Sequence, residues 1–217
     1  MKEIIFLGIF LLILSTPSAA YDDGDFQYWN TEAMAVKINP YWTFCLEEEF
    51  RFGDDAGELY HEHTDVGMKY SGFAKWLDVG LNYRGITEKQ KGEWDYENRI
   101  HLNLTLKKTW KDIKLSSNSR LEFRMRHYAE DKPRYRNKTM MVVPLQWTKH
   151  DINPYLADEG YIDFDATEFT RNRVYAGFTG KIIKNIQMDL YYLLEKTKAS
   201  PDWKETHILG TKIKVSF

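Results

Sequence analysis

The chain has 217 residues, 30 Lys and Arg against 32 Asp and Glu, and a formal net charge of −2. That balance argues against a polycationic nucleic-acid binder, and a single cysteine excludes an intrachain disulfide. Aromatic residues reach 15%, and mean hydropathy is negative. A wall whose strands alternate apolar and polar residues averages to such a value even when one whole face is apolar.

In chain order, Lys2 precedes an apolar run from Ile4 to Leu14, and small residues from Ser15 close in Ser18-Ala19-Ala20. This pattern predicts a secretory signal peptide cut after Ala20, so residues 1–20 form the leader and 21–217 the mature domain. A helix needs roughly 20 apolar residues to span a bilayer, more than this run offers. No cysteine stands at the cut, which argues against a lipoprotein; Cys45 lies well inside the mature chain.

Period-two alternation then predicts strands over 27–38, 41–52, 59–70, 76–84, 94–107, 113–128, 135–144, 152–160, 170–179, 186–195 and 206–217. The alternation is sharpest in 94–107, where Tyr96, Ile100, Leu102, Leu104 and Leu106 oppose Asp95, Glu97, Arg99, His101, Asn103, Thr105 and Lys107. In the last segment His207, Leu209, Thr211, Ile213, Val215 and Phe217 share one face. An apolar outer row ending in a carboxy-terminal aromatic predicts a transmembrane barrel strand. Trp29, Trp42, Trp76, Trp94, Trp110, Trp147 and Trp203 fall mostly near strand ends, as interfacial girdles require.

The fold expected is therefore all-β, an antiparallel transmembrane β-barrel of about 10 to 12 strands. Single-chain bacterial barrels have even strand numbers, so the eleventh candidate, 27–38, is expected to be split, partly spanning or elsewhere. Connections around 71–75, 108–112 and 180–185 read as short turns, and those around 85–93, 161–169 and 196–205 as longer outer loops.

A hairpin tight around Trp110 and Lys111 sets Asp95 opposite Arg126, Glu97 opposite Arg124 and Arg99 opposite Glu122. A slip by two residues brings Arg99 against Arg120 or Arg124, and like charges directly opposite are unfavourable. A lumen charge network of Asp95, Glu97, Arg99, Arg120, Glu122, Arg124 and Arg126 is expected. Glu47, Glu49, Arg51, Arg136, Glu159 and Arg173 also read as inward, with Asp65, Lys69, Asp78, Arg84, Lys138, Arg171, Lys212 and Lys214. The inner wall then carries about 15 basic against about 10 acidic groups.

His61 and His63 share a face with Asp65, a trio of metal-ligand types for a divalent ion, but three ligands at period two are too widespread to carry the assignment, so neither metal nor cofactor is assigned. Ser117 and Ser119 face outward, and Ser119 stands roughly 26 Å along its strand from His127. No catalytic residues are assigned. Cys45 sits among Thr43, Glu47 and Glu49, surroundings that do not activate a thiol.

Trp29, the Glu47-x-Glu49-x-Arg51 strand, the run Ser119-Arg120-Leu121-Glu122-Phe123-Arg124, Pro154-Tyr155 with Glu159, Asn172-Arg173 leading to Ala176-Gly177, and the closing strand carry a resemblance. The mature chain resembles a Gram-negative outer-membrane β-barrel family of unknown function, domain of unknown function 2490. The resemblance implies an outer-membrane location and supplies no activity. The Arg120-x-Glu122-x-Arg124 run is also similar in character to small porins for acidic oligosaccharides, from which this chain departs in its many inward acids.

The function expected is a small porin-like channel for small polar or anionic solutes in the outer membrane. Two alternatives stay open: an interaction barrel whose lumen is closed by Arg and Glu ion pairs, and a lipid-modifying enzyme. Expected partners are outer-membrane lipids and lipopolysaccharide, the barrel-assembly machinery through the strand ending in Phe217, and small solutes, with no nucleic acid.

Overall fold

The structure is a computed structural model that describes residues 23–90, 92–127, 129–145, 151–164, 168–199 and 202–217. The expected signal peptide and Trp147 lie outside the described residues. Eleven strands follow one another: β1 Asp25–Lys37, β2 Trp42–Gly53, β3 Glu58–Ala74, β4 Leu77–Gln90, β5 Glu93–Trp110, β6 Ile113–Arg126, β7 Lys132–Val142, β8 Asn153–Asp163, β9 Glu168–Ile183, β10 Ile186–Ala199 and β11 Asp202–Ser216. No helix among the described residues is long and apolar enough to cross a membrane.

The strands form a closed barrel in which chain neighbours pair antiparallel, and β1 pairs with β11. That last pairing is parallel, from Asp25 opposite Thr206 to Ala35 opposite Ser216. When strands alternate up and down, an odd number leaves the first and last pointing the same way, so closure requires a parallel seam. The expectation of an even count is thereby corrected, and all eleven candidate segments are strands. β1 is neither split nor partial: it pairs with β11 on one side and, from Tyr28 to Lys37, with β2 on the other.

The expected long loops are also corrected. β4 and β5 run to Gln90 and from Glu93, and β10 and β11 run to Ala199 and from Asp202, so these segments extend the sheet. The widest separation in sequence between consecutive strands falls between Val142 at the end of β7 and Asn153 at the start of β8, strand ends on the Phe217 side of the barrel. Strand pairing satisfies backbone N–H and C=O groups that a loop leaves to solvent, which favours extending the ladder wherever alternation continues.

The outer wall is apolar over much of its surface, with Leu81, Leu102, Leu104, Leu156, Val174, Phe178, Leu190 and Ile213 all exposed. Trp42, Trp76, Trp94, Trp110 and Trp203 are exposed at or beside strand ends. Trp29 departs from this pattern. It is buried inside, beneath the guanidiniums of Arg51 and Arg173, which stand 3.8 and 4.8 Å from its ring.

Side chains fill the interior in two manners. Around β1 and β8–β11 they form an apolar cluster of Trp29, Tyr155, Ala157, Tyr175, Leu193 and Ile208. Around β3–β7 the buried groups are ionic or polar, among them His61, His63, Asp65, Arg84, Glu97, Arg99, His101, Glu122 and Arg134.

Candidate functional site in the barrel interior

The β5–β6 hairpin sets the register of the ionic side. Trp110 pairs with Ile113 around a two-residue turn, Lys111 and Asp112, whose φ angles of 46° and 71° both lie in the left-handed region. Two-residue hairpins favour this geometry because its twist matches that of the strands. The turn centre is therefore one residue later than expected, and every pair moves by two. Glu97 faces Arg126, Arg99 faces Arg124, and His101 faces Glu122. The expected register, with Arg99 opposite Glu122, is corrected.

Opposite charges meet diagonally instead. Arg124 donates to both oxygens of Glu97 at 2.7 and 2.8 Å, and Arg99 donates to Glu97 Oε1 at 2.6 Å. Arg99 also stands 3.7 Å from Glu122. Diagonal neighbours in a sheet lie within reach of long side chains, so the like-charged Arg99–Arg124 pair is held by the acid between them. Asp95 and Arg126 stand near the rim. Arg126 Nε donates to the Glu130 carbonyl at 3.0 Å, and Asp95 accepts from the Tyr96 backbone N–H at 3.3 Å.

Glu122 is the hub of this side and is inaccessible to solvent. Arg134 donates to it through Nε at 2.9 Å and Nη2 at 2.7 Å, while Arg120 and Arg136 approach to 3.8 and 3.7 Å. Glu159 continues the belt, 3.2 Å from Arg136 and 3.8 Å from Arg173, with Tyr175 donating at 2.8 Å. Arg173 reaches Glu195 at 2.5 Å and donates to the Tyr161 hydroxyl at 2.7 Å. Asp65 takes Arg84 and His101, both at 2.7 Å. Glu47 takes Lys212 at 2.5 Å and Arg84 at 3.3 Å, and Glu49 takes Arg51 at 2.6 Å. Each acid is shared among several cations, which offsets the cost of burying its charge, although Glu122 Oε1 and Glu159 Oε1 meet guanidinium nitrogens only at ion-pair distances of 3.2 to 3.8 Å and accept no hydrogen bond.

Above this belt, at the end opposite Phe217, lies a cavity of about 330 Å³. Its lining includes Arg51, Arg84, Arg99, Arg124, Arg134, Arg136, Arg171, Arg173 and Lys198, against only Glu88 and Asp163 as acids. The register explains the concentration. Arg84 is opposite Arg99, Arg99 opposite Arg124, and Arg124 opposite Lys132, so a row of cations crosses four strands in step. Sequence reasoning named Arg84, Arg99 and Arg124 as inward but missed the row, because its assumed hairpin separated Arg99 from Arg124; Arg134 was not named at all, since it precedes the expected strand 135–144.

Two strand irregularities shape the cup. A register shift between Arg51 and Phe52 in the β2–β3 pair turns the consecutive residues Tyr60 and His61 both inward, where both are buried. A second shift, between Tyr161 and Ile162 in the β8–β9 pair, brings Thr170 and Arg171 together onto the cup lining. Such bulges re-aim side chains at the rims of barrels.

Below the cup, His101, Glu122, Leu193 and Ile208 are each 0% exposed. Ser117 and Ser119 face outward as expected and bond to one another's neighbours, with Asn137 Nδ2 donating to each at 3.0 Å and Tyr135 sharing a 2.9 Å bond with Ser119. Cys45 is half-buried.

A family model described as "Protein of unknown function (DUF2490)" matches residues 26–206, from β1 into β11. Comparison with curated proteins returns no match.

Proposed function

The chain belongs to the DUF2490 family of proteins of unknown function, and from that premise we propose that it is an outer-membrane β-barrel with a closed interior whose arginine-lined cup captures small anionic solutes. The observation that carries the reading is the in-step row of Arg84, Arg99 and Arg124 within a cavity lined by eight arginines. Bringing so many guanidiniums together costs Coulomb energy that the neighbouring carboxylates offset only in part, and a bound carboxylate or phosphate completes the balance with bidentate geometry. The apolar outer wall supports residence in a bilayer, since a barrel leaves no unpaired sheet edge there. With the β11 end toward the periplasm and the assembly machinery, the cup opens outward beside lipopolysaccharide.

The closed reading is preferred to an open porin-like channel because residues from β5, β6, β10 and β11 are wholly inaccessible beneath the cup. The test uses the mature chain folded in detergent and titrated with citrate and inorganic phosphate by calorimetry. Saturable binding is expected, weakened about tenfold or more in Arg171→Gln, which removes a charged donor from the rim of the cup. Planar-bilayer recordings of the same protein are expected to show no discrete conductance steps. Regular steps without saturable anion binding would establish the channel instead.

A further inference from the structure

We propose that His61 and His63 of β3, with Glu49 of β2, bind a divalent transition-metal ion of the zinc type. The two imidazoles are buried, at 5% and 3% exposure, and meet edge to face with ring centres 5.4 Å apart. His61 Nε2 lies 3.1 Å from His63 Nδ1. Two nitrogens each about 2.0–2.1 Å from one tetrahedral zinc ion stand about 3.3 Å apart, so this spacing is close to that of a ligand pair.

The third ligand comes from the neighbouring strand. The β2–β3 register sets Glu49 opposite His63, and Glu49 Oε1 is 3.8 Å from His63 Nδ1. One ligand atom from each of the three residues falls within 4.8 Å of the others. Single-strand spacing could not reveal this, since the sequence offers Asp65 as the third group, and Asp65 is taken by Arg84 and His101.

The strongest argument is the placement of protons. Between two neutral imidazoles, the 3.1 Å contact needs one nitrogen to donate and the other to accept. The far nitrogens, His61 Nδ1 and His63 Nε2, are buried without a hydrogen-bond partner, and each faces a carboxylate, Glu88 at 3.5 Å and Glu47 at 3.7 Å. If His61 Nε2 donates, its Nδ1 is a bare lone pair facing Glu88. If His63 Nδ1 donates, its Nε2 is a bare lone pair facing Glu47. Either choice leaves a lone pair against an acid. A cation between the rings removes the conflict, because both facing nitrogens then act as ligands and both far nitrogens carry N–H toward their acids. This carboxylate–histidine–metal arrangement is how ligating histidines are ordinarily held.

Arg51 and Thr31 already donate to Glu49, at 2.7 and 3.0 Å. Arg51 Nη2 also stands 2.6 Å from Oε1, so the lone pair left for a metal is on Oε2, which accepts only from Thr31, and the guanidinium lowers affinity. His61 lines the cup, which supplies the entry path.

The experiment titrates zinc chloride into the folded barrel in detergent, in competition with a chromophoric chelator. One zinc per barrel is expected, with a tetrahedral absorption spectrum when cobalt is substituted. His61→Gln combined with His63→Gln is expected to abolish binding, and Glu88→Gln to weaken it about 10–100-fold. Absence of binding to the wild type, or unchanged binding in a double variant that keeps its heat-modifiable mobility, overturns the proposal. If that variant does not fold, ring-nitrogen NMR of His61 and His63 in the wild type decides: zinc-induced shifts of both support the site, and unmoved resonances end it.

Discussion

The two sides of the barrel interior solve one problem with different chemistry. Around β1 and β8–β11, Leu193, Ile208, Tyr155 and Trp29 exclude water by bulk, and their contribution scales with the area they remove from solvent. Around β3–β7, Glu122 with Arg134 and Arg99, and Asp65 with Arg84, exclude it by pairing, and each depends on partners placed to within an ångström or two. The apolar side therefore tolerates a change of shape, whereas the ionic side fails when one member is removed. Specificity of register and ligand chemistry belong to the ionic side.

Replacing Glu122 with Leu should produce the largest effect, because Arg134, Arg99, Arg120 and Arg136 then remain around a site without its acid. A loss of about 3–5 kcal/mol is expected in urea titrations of the vesicle-inserted barrel followed by tryptophan fluorescence. Leu193→Ala on the apolar side should cost about 3 kcal/mol in the same assay, as a cavity partly relaxes around it. An equal or larger loss for Leu193→Ala than for Glu122→Leu would break the comparison. At the boundary, Tyr161→Phe removes the acceptor for Arg173 Nη1 and should cost about 1–2 kcal/mol. Outside both regions, Lys196 and Glu205 form an exposed 2.6 Å pair, and Lys196→Ala should change stability by less than about 1 kcal/mol.

The difference also marks how far each side could be read from the residues in order. Leu190 and Leu193, three residues apart in β10, fall on opposite faces by position parity, one exposed and one buried, although an apolar inner wall was not among the expectations. The parity of Glu97, Arg99, Glu122 and Arg124 was equally plain, and all four face inward. Their pairing was not, because opposite charges suggested direct partners while the structure joins them diagonally. A Lys-Asp pair in a left-handed two-residue turn carries none of the Asn-Gly signal that would have located the hairpin. The histidine pair shows the same limit: His61 and His63 were visible, but Glu49 joins them only through the β2–β3 register.

The residues alone determined that this is a barrel of alternating faces, because a period of two is set by the pleat of each strand and needs no partner. The strand number near eleven and the inward set of charges came from the same local rule. Tertiary structure alone decided the parallel β1–β11 seam, the diagonal ion pairs, the burial of residues beneath the cup and the joining of Glu49 to His61 and His63. These depend on how strands slide past one another, and that register is fixed by turn φ angles, bulges and ring closure, which act between segments distant in the chain.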